Sequence, residues 1–231
     1  MRVSEFTFEC SDAWRATYPE AAVGILAMTG VRNPESHAGL DERKTALEHE
    51  LRERLSSFDR AALKALPVIR AYGDYYKRFG KTYHVQLQLE SIVHKGKSIP
   101  RVATLVEAMF MAELKNQLLT AGHDLDLLGM PVRIDVASED DRYVRIDEQE
   151  QALKAGDMMI ADARGILSSI VYGPDRRTRI TLETTAVLFT TYAPPGVDSE
   201  AVRAHLNDIR ENVALVSPDA QTVAFEVLAA T

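Results

Sequence analysis

The chain opens in strand-like fashion, with apolar Val3, Phe6 and Phe8 set among polar residues, and the pattern breaks at SDAW. A continuous apolar run follows, AAVGILAMTGV from Ala21 to Val31, which predicts a buried strand. Pro34 to Gly39 reads as a loop. From Asp41 to Ser57 the period lengthens to that of a helix, with Leu40, Leu47, Leu51 and Leu55 on one side and Glu48–Arg52 and Glu50–Arg54 paired on the other. Asp59 fits the cap of a further helix carrying Ala62, Leu63 and Leu66, with an interruption at Pro67.

The stretch YKRFGKTYHVQLQLESIVHKGKSIPR, residues 76–101, carries both periods. Val85, Leu87 and Leu89 alternate, whereas Leu89, Ile92 and Val93 fit a helix. The Lys95-Gly96 pair decides for a helix ending at Lys95, because a cation complements the helix dipole and glycine accepts positive φ. RVATLVEAMFMAELKNQLLTAG, apolar on most sides, predicts a buried helix ending near Gly122. Short strands are expected in VRIDVA, DRYVRI, DMMIADA and ILSSIVYG, and a longer one in TRITLETTAVLFTTYA. Asp198 opens a helix over SEAVRAHLNDIREN, and VAFEVL suits a last strand. Helices and strands come in blocks, so the fold class is α+β: one domain over 1–231, helices in the N-terminal half and a mixed β-rich C-terminal half.

Composition narrows the function. No apolar run reaches the ~18 residues of a membrane span, and MRVSEFTFEC lacks a secretion-signal profile, so cytoplasmic residence is expected. Cys10 is the only cysteine, and the six histidines show no HxxxH or HExxH spacing, so neither a metal nor another cofactor is expected. The nucleotide-binding and serine-hydrolase glycine motifs are missing. The chain holds 27 basic and 34 acidic residues, a net −7, which argues against nonspecific binding along nucleic acid. Yet residues 76–101 hold six cations against Glu90 alone, a local +5 that leaves −12 for the rest.

The ordered series YKRFGK, KGKSIPR, LVEA, HDLDLLGMPVRI, AGDMMIADARG and RRTRITLETT resembles the B3/B4 domain, the tRNA-binding and editing module of the bacterial phenylalanyl-tRNA synthetase β subunit. It is most similar to freestanding proteins built on that module, clearly from Tyr72 to Val187, with residues 71–231 as family core and 1–70 as N-terminal strands and helices. The resemblance implies a cleft for an aminoacyl-tRNA end, where a positioned water hydrolyses a mischarged ester without metal. Phe110 stands where the synthetases carry Asn, and Ala121 where they carry His. His123 falls two residues later, followed by the retained Asp124 and Asp126; the paired-glycine segment is missing, and Ala103-Thr104 replace an Asn-Pro.

His123 is the candidate general base. Arg78, Lys95, Lys97, Arg101, Phe110, Ala121, Arg176, Arg177 and Thr178 are the candidate substrate or tRNA contacts, with Tyr76 and Tyr83 available either for stacking on bases or as core anchors. Arg101 fits either an anion contact or an ion pair with Glu107 or Asp124. Asp124 and Asp126 are expected to hold a turn, while Glu183 and Thr185 are read into a strand. Two functions remain open: a tRNA-binding protein that edits in trans, and a non-catalytic binder of a small amino-acid-like ligand.

Overall fold

The computed structural model describes residues 6–230, so the expectation at Val3 lies outside the described residues. β1 (Phe8–Cys10) leads directly into α1 (Asp12–Thr17), because the Ser11 side chain caps the helix by accepting from the Trp14 N–H at 3.0 Å. The SDAW break is therefore a helix start, and it delivers Trp14 fully buried into the core.

β2 (Ala22–Thr29) is the expected apolar strand, buried from Ala22 to Met28. It runs between β11 (Gln221–Ala229) and β10 (Ala186–Ala193), with β3 (Leu119–Asp124) completing a four-stranded antiparallel sheet in the order β11-β2-β10-β3. One face takes α7 (Ser199–Val216), capped by Asp198 as expected. The approach is close: a Cβ on Gly24 would lie 2.6 Å from Val202 Cγ1.

The helical part comprises α2 (Ala38–Leu55), α3 (Arg60–Ala65), α4 (Pro67–Arg78), α5 (His84–Lys95) and α6 (Thr104–Asn116). Asp59 caps α3 through the Ala62 N–H at 2.7 Å. Pro67 starts α4 rather than merely interrupting a helix, since the first turn has no use for its missing N–H. α5 ends at Lys95 with Gly96 at φ 63°, as the cation–glycine pair implied.

Two sequence expectations are corrected. α6 does not run to Gly122: Gln117 takes φ 64° and ends the helix, and residues 119–124 pair with β10 as β3. The run 178–185 is a loop, so Glu183 and Thr185 are exposed loop residues and the strand begins only at Ala186.

A second sheet, ordered β1-β4-β7-β8-β9, is built from β4 (Val132–Val136), β7 (Met158–Asp162), β8 (Gly165–Ser169) and β9 (Gly173–Pro174), with β1 parallel to β4. A small hairpin pairs β5 (Arg142–Val144) with β6 (Glu150–Ala152). The largest apolar cluster joins the two sheets through Trp14, Ile25, Tyr72, Leu125, Ile160 and Leu188. The fold is α+β.

Candidate functional site

α4 and the Phe79 that caps its end repeat large aromatics at Tyr72, Tyr75, Tyr76 and Phe79, and this spacing turns all four inward. Each tyrosine hydroxyl finds an internal acceptor: Tyr72 the Tyr192 carbonyl, Tyr75 the Asp157 carboxylate at 2.7 Å, Tyr76 the Ile170 carbonyl. Tyr83 stacks on Tyr72 with ring centroids 4.3 Å apart. Tyr76 and Tyr83 are core anchors, unavailable to bases.

The cations of the same segment stay outside. The Arg78 guanidinium lies 5.2 Å from the Tyr18 ring centre, and Lys81 Nζ lies 5.6 Å from that of half-buried Tyr172. Lys77 is exposed beside them in sequence, and Lys154 Nζ donates to the Phe79 carbonyl at 2.7 Å, where the end of α4 leaves backbone oxygens unpaired. Lys154 carries no sequence signal for this place, because 75 residues separate it from its acceptor.

Tyr172 continues into the segment that holds Arg176, Arg177 and Arg179; Tyr172 and Arg176 are four residues apart, at most ~14 Å along the backbone. The three arginines line a cavity of about 500 Å³ with Leu127, Val144 and Thr181. Arg177 is held from beneath. It grips Asp162 with two N–H groups at 3.1 and 2.9 Å and donates to the Leu127 carbonyl at 3.2 Å. Arg164 reaches the same carbonyl at 3.4 Å. Burial alone would raise the Asp162 pKa, but Arg177 and the N–H groups of Gly129 and Arg164 outweigh it and hold the carboxyl below its ordinary range. Arg176 pairs with exposed Glu148 at 3.0 Å, an exchangeable contact, while Arg179 is exposed with no ion pair among the described residues.

Behind Arg177 lies His123, fully buried on β3. The Thr178 hydroxyl donates to Asp175, so it accepts at 2.9 Å from His123 Nδ1; this leaves Nε2 as acceptor for the Ser168 hydroxyl at 3.2 Å. Burial, reinforced by Arg177 and opposed by Asp162, pushes the imidazole pKa down to about 3. Its Asp175 neighbour at 3.9 Å is thus no ion-pair partner at neutral pH. Both ring nitrogens are engaged, and the side chain ties β3 to the arginine segment instead of facing water. Asp124 does hold a turn, accepting from the Asp126 N–H at 3.1 Å and the Thr184 hydroxyl at 2.7 Å.

The B3/4 domain family model matches residues 70–213. The chain belongs to the B3/4 domain family. No curated protein matches it. Among solved structures it is similar to an N-terminal fragment of the phenylalanyl-tRNA synthetase beta-subunit from Pyrococcus horikoshii, with 13 % identity and a TM-score of 0.48. The alignment covers 96 % of this chain and 50 % of that fragment, so the chain spans half the fragment's length.

In this B3/4 domain the remaining candidate contacts lie apart from the arginine cavity. Lys97 and Phe110 line a separate cavity between α5 and α6, and Lys95 stands exposed at the end of α5. Arg101 pairs with Asp41 at 3.3 Å, not with Glu107 or Asp124; Glu107 is taken by buried Lys44 at 2.5 Å and by the Val102 N–H at 2.9 Å. Ala121 is buried in the core joining the sheets, so it touches neither cavity. Thr178 is buried with His123. Among the described residues, no group of three or more His, Cys, Asp or Glu is placed to hold a metal ion, and no helix is long and apolar enough to cross a membrane.

Proposed function

We propose that this B3/4 domain binds tRNA along a cationic track running from Lys77, Arg78, Lys81 and Lys154, past Tyr172, to Arg176, Arg177 and Arg179. The observation that carries the reading is the track itself: in a chain of net −7, two cation groups meet through the one segment Tyr172–Arg179. Lysines and exposed arginines serve phosphates, and half-buried Tyr172 supplies a ring face for an unpaired base. Arg177, fixed by Asp162, is pre-oriented for a phosphate or carboxylate oxygen entering the cavity. Family membership and the resemblance to an editing module extend the reading to hydrolysis of a mischarged aminoacyl ester. In that step His123 acts as a positioning residue behind Arg177.

Fluorescence anisotropy with labelled tRNA tests the binding. Lys77→Gln, Lys81→Gln and Lys154→Gln together should weaken it by roughly 10- to 100-fold with circular dichroism unchanged; equal affinity of variant and parent would defeat the proposal. Deacylation of a panel of mischarged tRNAs tests the hydrolytic part. Release no faster than without protein, with binding intact, would leave a tRNA-binding domain without esterase activity.

A further inference from the structure

The cavity between α5 and α6 has a chemistry of its own. It measures about 350 Å³, room for roughly a dozen water-sized groups at ~30 Å³ each, and its walls are Leu87, Ile92, Pro100, Phe110 and Leu114. Leu87 is 40 % exposed, one of six large apolar side chains so placed among the described residues. An apolar wall open to water is the profile of a small-molecule site rather than of a packing seam. Lys97 stands on the rim, exposed, and its ammonium has no carboxylate partner among the described residues. The other polar groups of the lining are His84, Gln88, Ser91 and Ser98, of which Ser91 spends its hydroxyl on the Leu87 carbonyl.

Among the described residues, no aspartate or glutamate lines this cavity. A bound ammonium would therefore lose water without gaining a countercharge, which is unfavourable, whereas an anionic head gains Lys97. The geometry points to a binding site for a small apolar carboxylate, an aryl or alkyl tail against Phe110 and Leu114 with its carboxylate at Lys97, and not for an amino acid. The site is independent of the tRNA track: it shares no lining residue with the arginine cavity and none with the Lys77–Lys81 group. Phe110 thereby has a role, as a wall that receives an apolar tail.

Calorimetric titration with 3-phenylpropanoate, 3-phenylpropanamide and L-phenylalanine tests the assignment. The carboxylate should bind saturably, and the amide and the amino acid at least about tenfold more weakly. Lys97→Gln should lower carboxylate affinity about tenfold, and Leu87→Glu should abolish it by placing a like charge at the mouth; both positions are exposed, so the fold is retained. Amide shifts in a nitrogen-15 correlation spectrum should cluster at Leu87, Ser91, Lys97 and Ser98. The inference is overturned by the lack of saturable carboxylate binding, by equal affinity for the amide or the amino acid, or by an unaffected Lys97→Gln variant. Substitutions at Lys77, Lys81 and Lys154 leave carboxylate binding unchanged, so failure of the tRNA reading and failure of this one give different results.

Discussion

A proton on His123 would have to be carried without solvent, beside the Arg177 guanidinium, and His205 on α7 is buried to the same degree. Burial lowers their pKa values to about 3 and about 4, from an ordinary 6.5. Below pH 6.5 the unfolded chain takes up protons that the fold refuses, so stability is lost as pH falls, by up to about 1.4 kcal/mol per pH unit for each histidine. Glu113 works in the opposite direction. Burial, partly offset by the Thr120 N–H, raises its pKa from 4.5 to about 8, so the fold keeps a proton that the unfolded chain has released. Its contribution is present in full below 4.5 and lost as pH rises through 8. Glu113→Gln, which retains a carbonyl for Thr120, should flatten the fall in urea midpoint between about pH 6.5, above which the histidines no longer contribute a slope, and about pH 8; an equal fall in parent and variant would show that Glu113 is ionised in the fold. His123→Ala should cost about 2–3 kcal/mol by orphaning the Thr178 and Ser168 hydroxyls and leaving a cavity, read as a lower urea midpoint at pH 7. The burial of His123 was not legible in the sequence. A histidine between a glycine and an aspartate looks like a base until β10 and the arginine segment are seen to close over it.

At the scale of elements, caps were legible and tertiary overrides were not. Asp59, Asp198 and the Lys95-Gly96 pair act through atoms within a few residues, so the sequence carries their whole cause. The end of α6 has no such signal. Leu118, Leu119 and Ala121 suit a helix as well as a strand, and pairing with β10 pulls them into β3 after Gln117 turns over at φ 64°. Glycine adopts that conformation without a Cβ penalty, and the Gln117 backbone already accepts from the Tyr83 hydroxyl at 2.9 Å. Gln117→Gly should therefore stabilise the protein by about 0.5–1 kcal/mol; a lower melting temperature would refute the cap assignment. Gly24→Ala is the converse case. The added methyl meets Val202 Cγ1 at 2.6 Å, so α7 must shift, and a loss of about 1–3 kcal/mol is expected.

For the whole molecule, the seven cations Lys77, Arg78, Lys81, Lys154, Arg176, Arg177 and Arg179 leave −14 on the rest of a chain of net −7. Only part of this division was legible. Lys77, Arg78 and Lys81 stood out as a local excess, and Arg176 and Arg177 as a run, but the join through Tyr172 and the entry of Lys154 depend on how α4 meets the second sheet. The same packing removes Arg101 to Asp41 and Lys97 to the apolar cavity, so the basic stretch of the sequence is two surfaces in the fold. Ionic strength measures how many cations act. Each phosphate contact contributes about −0.7 to the slope of log K against log salt for single-stranded RNA. The Arg177 charge is already compensated by Asp162 and Asp175, so its contact in the cavity displaces no counterion and at most six cations contribute, a slope of about −4. Lys77→Gln and Arg179→Gln should each reduce its magnitude by about 0.7. Arg101→Gln should leave the slope unchanged, because its charge is spent on Asp41 away from the track. If Arg101→Gln flattened the slope as much as Lys77→Gln does, phosphates would be meeting the surface near α2, and the track would be misplaced.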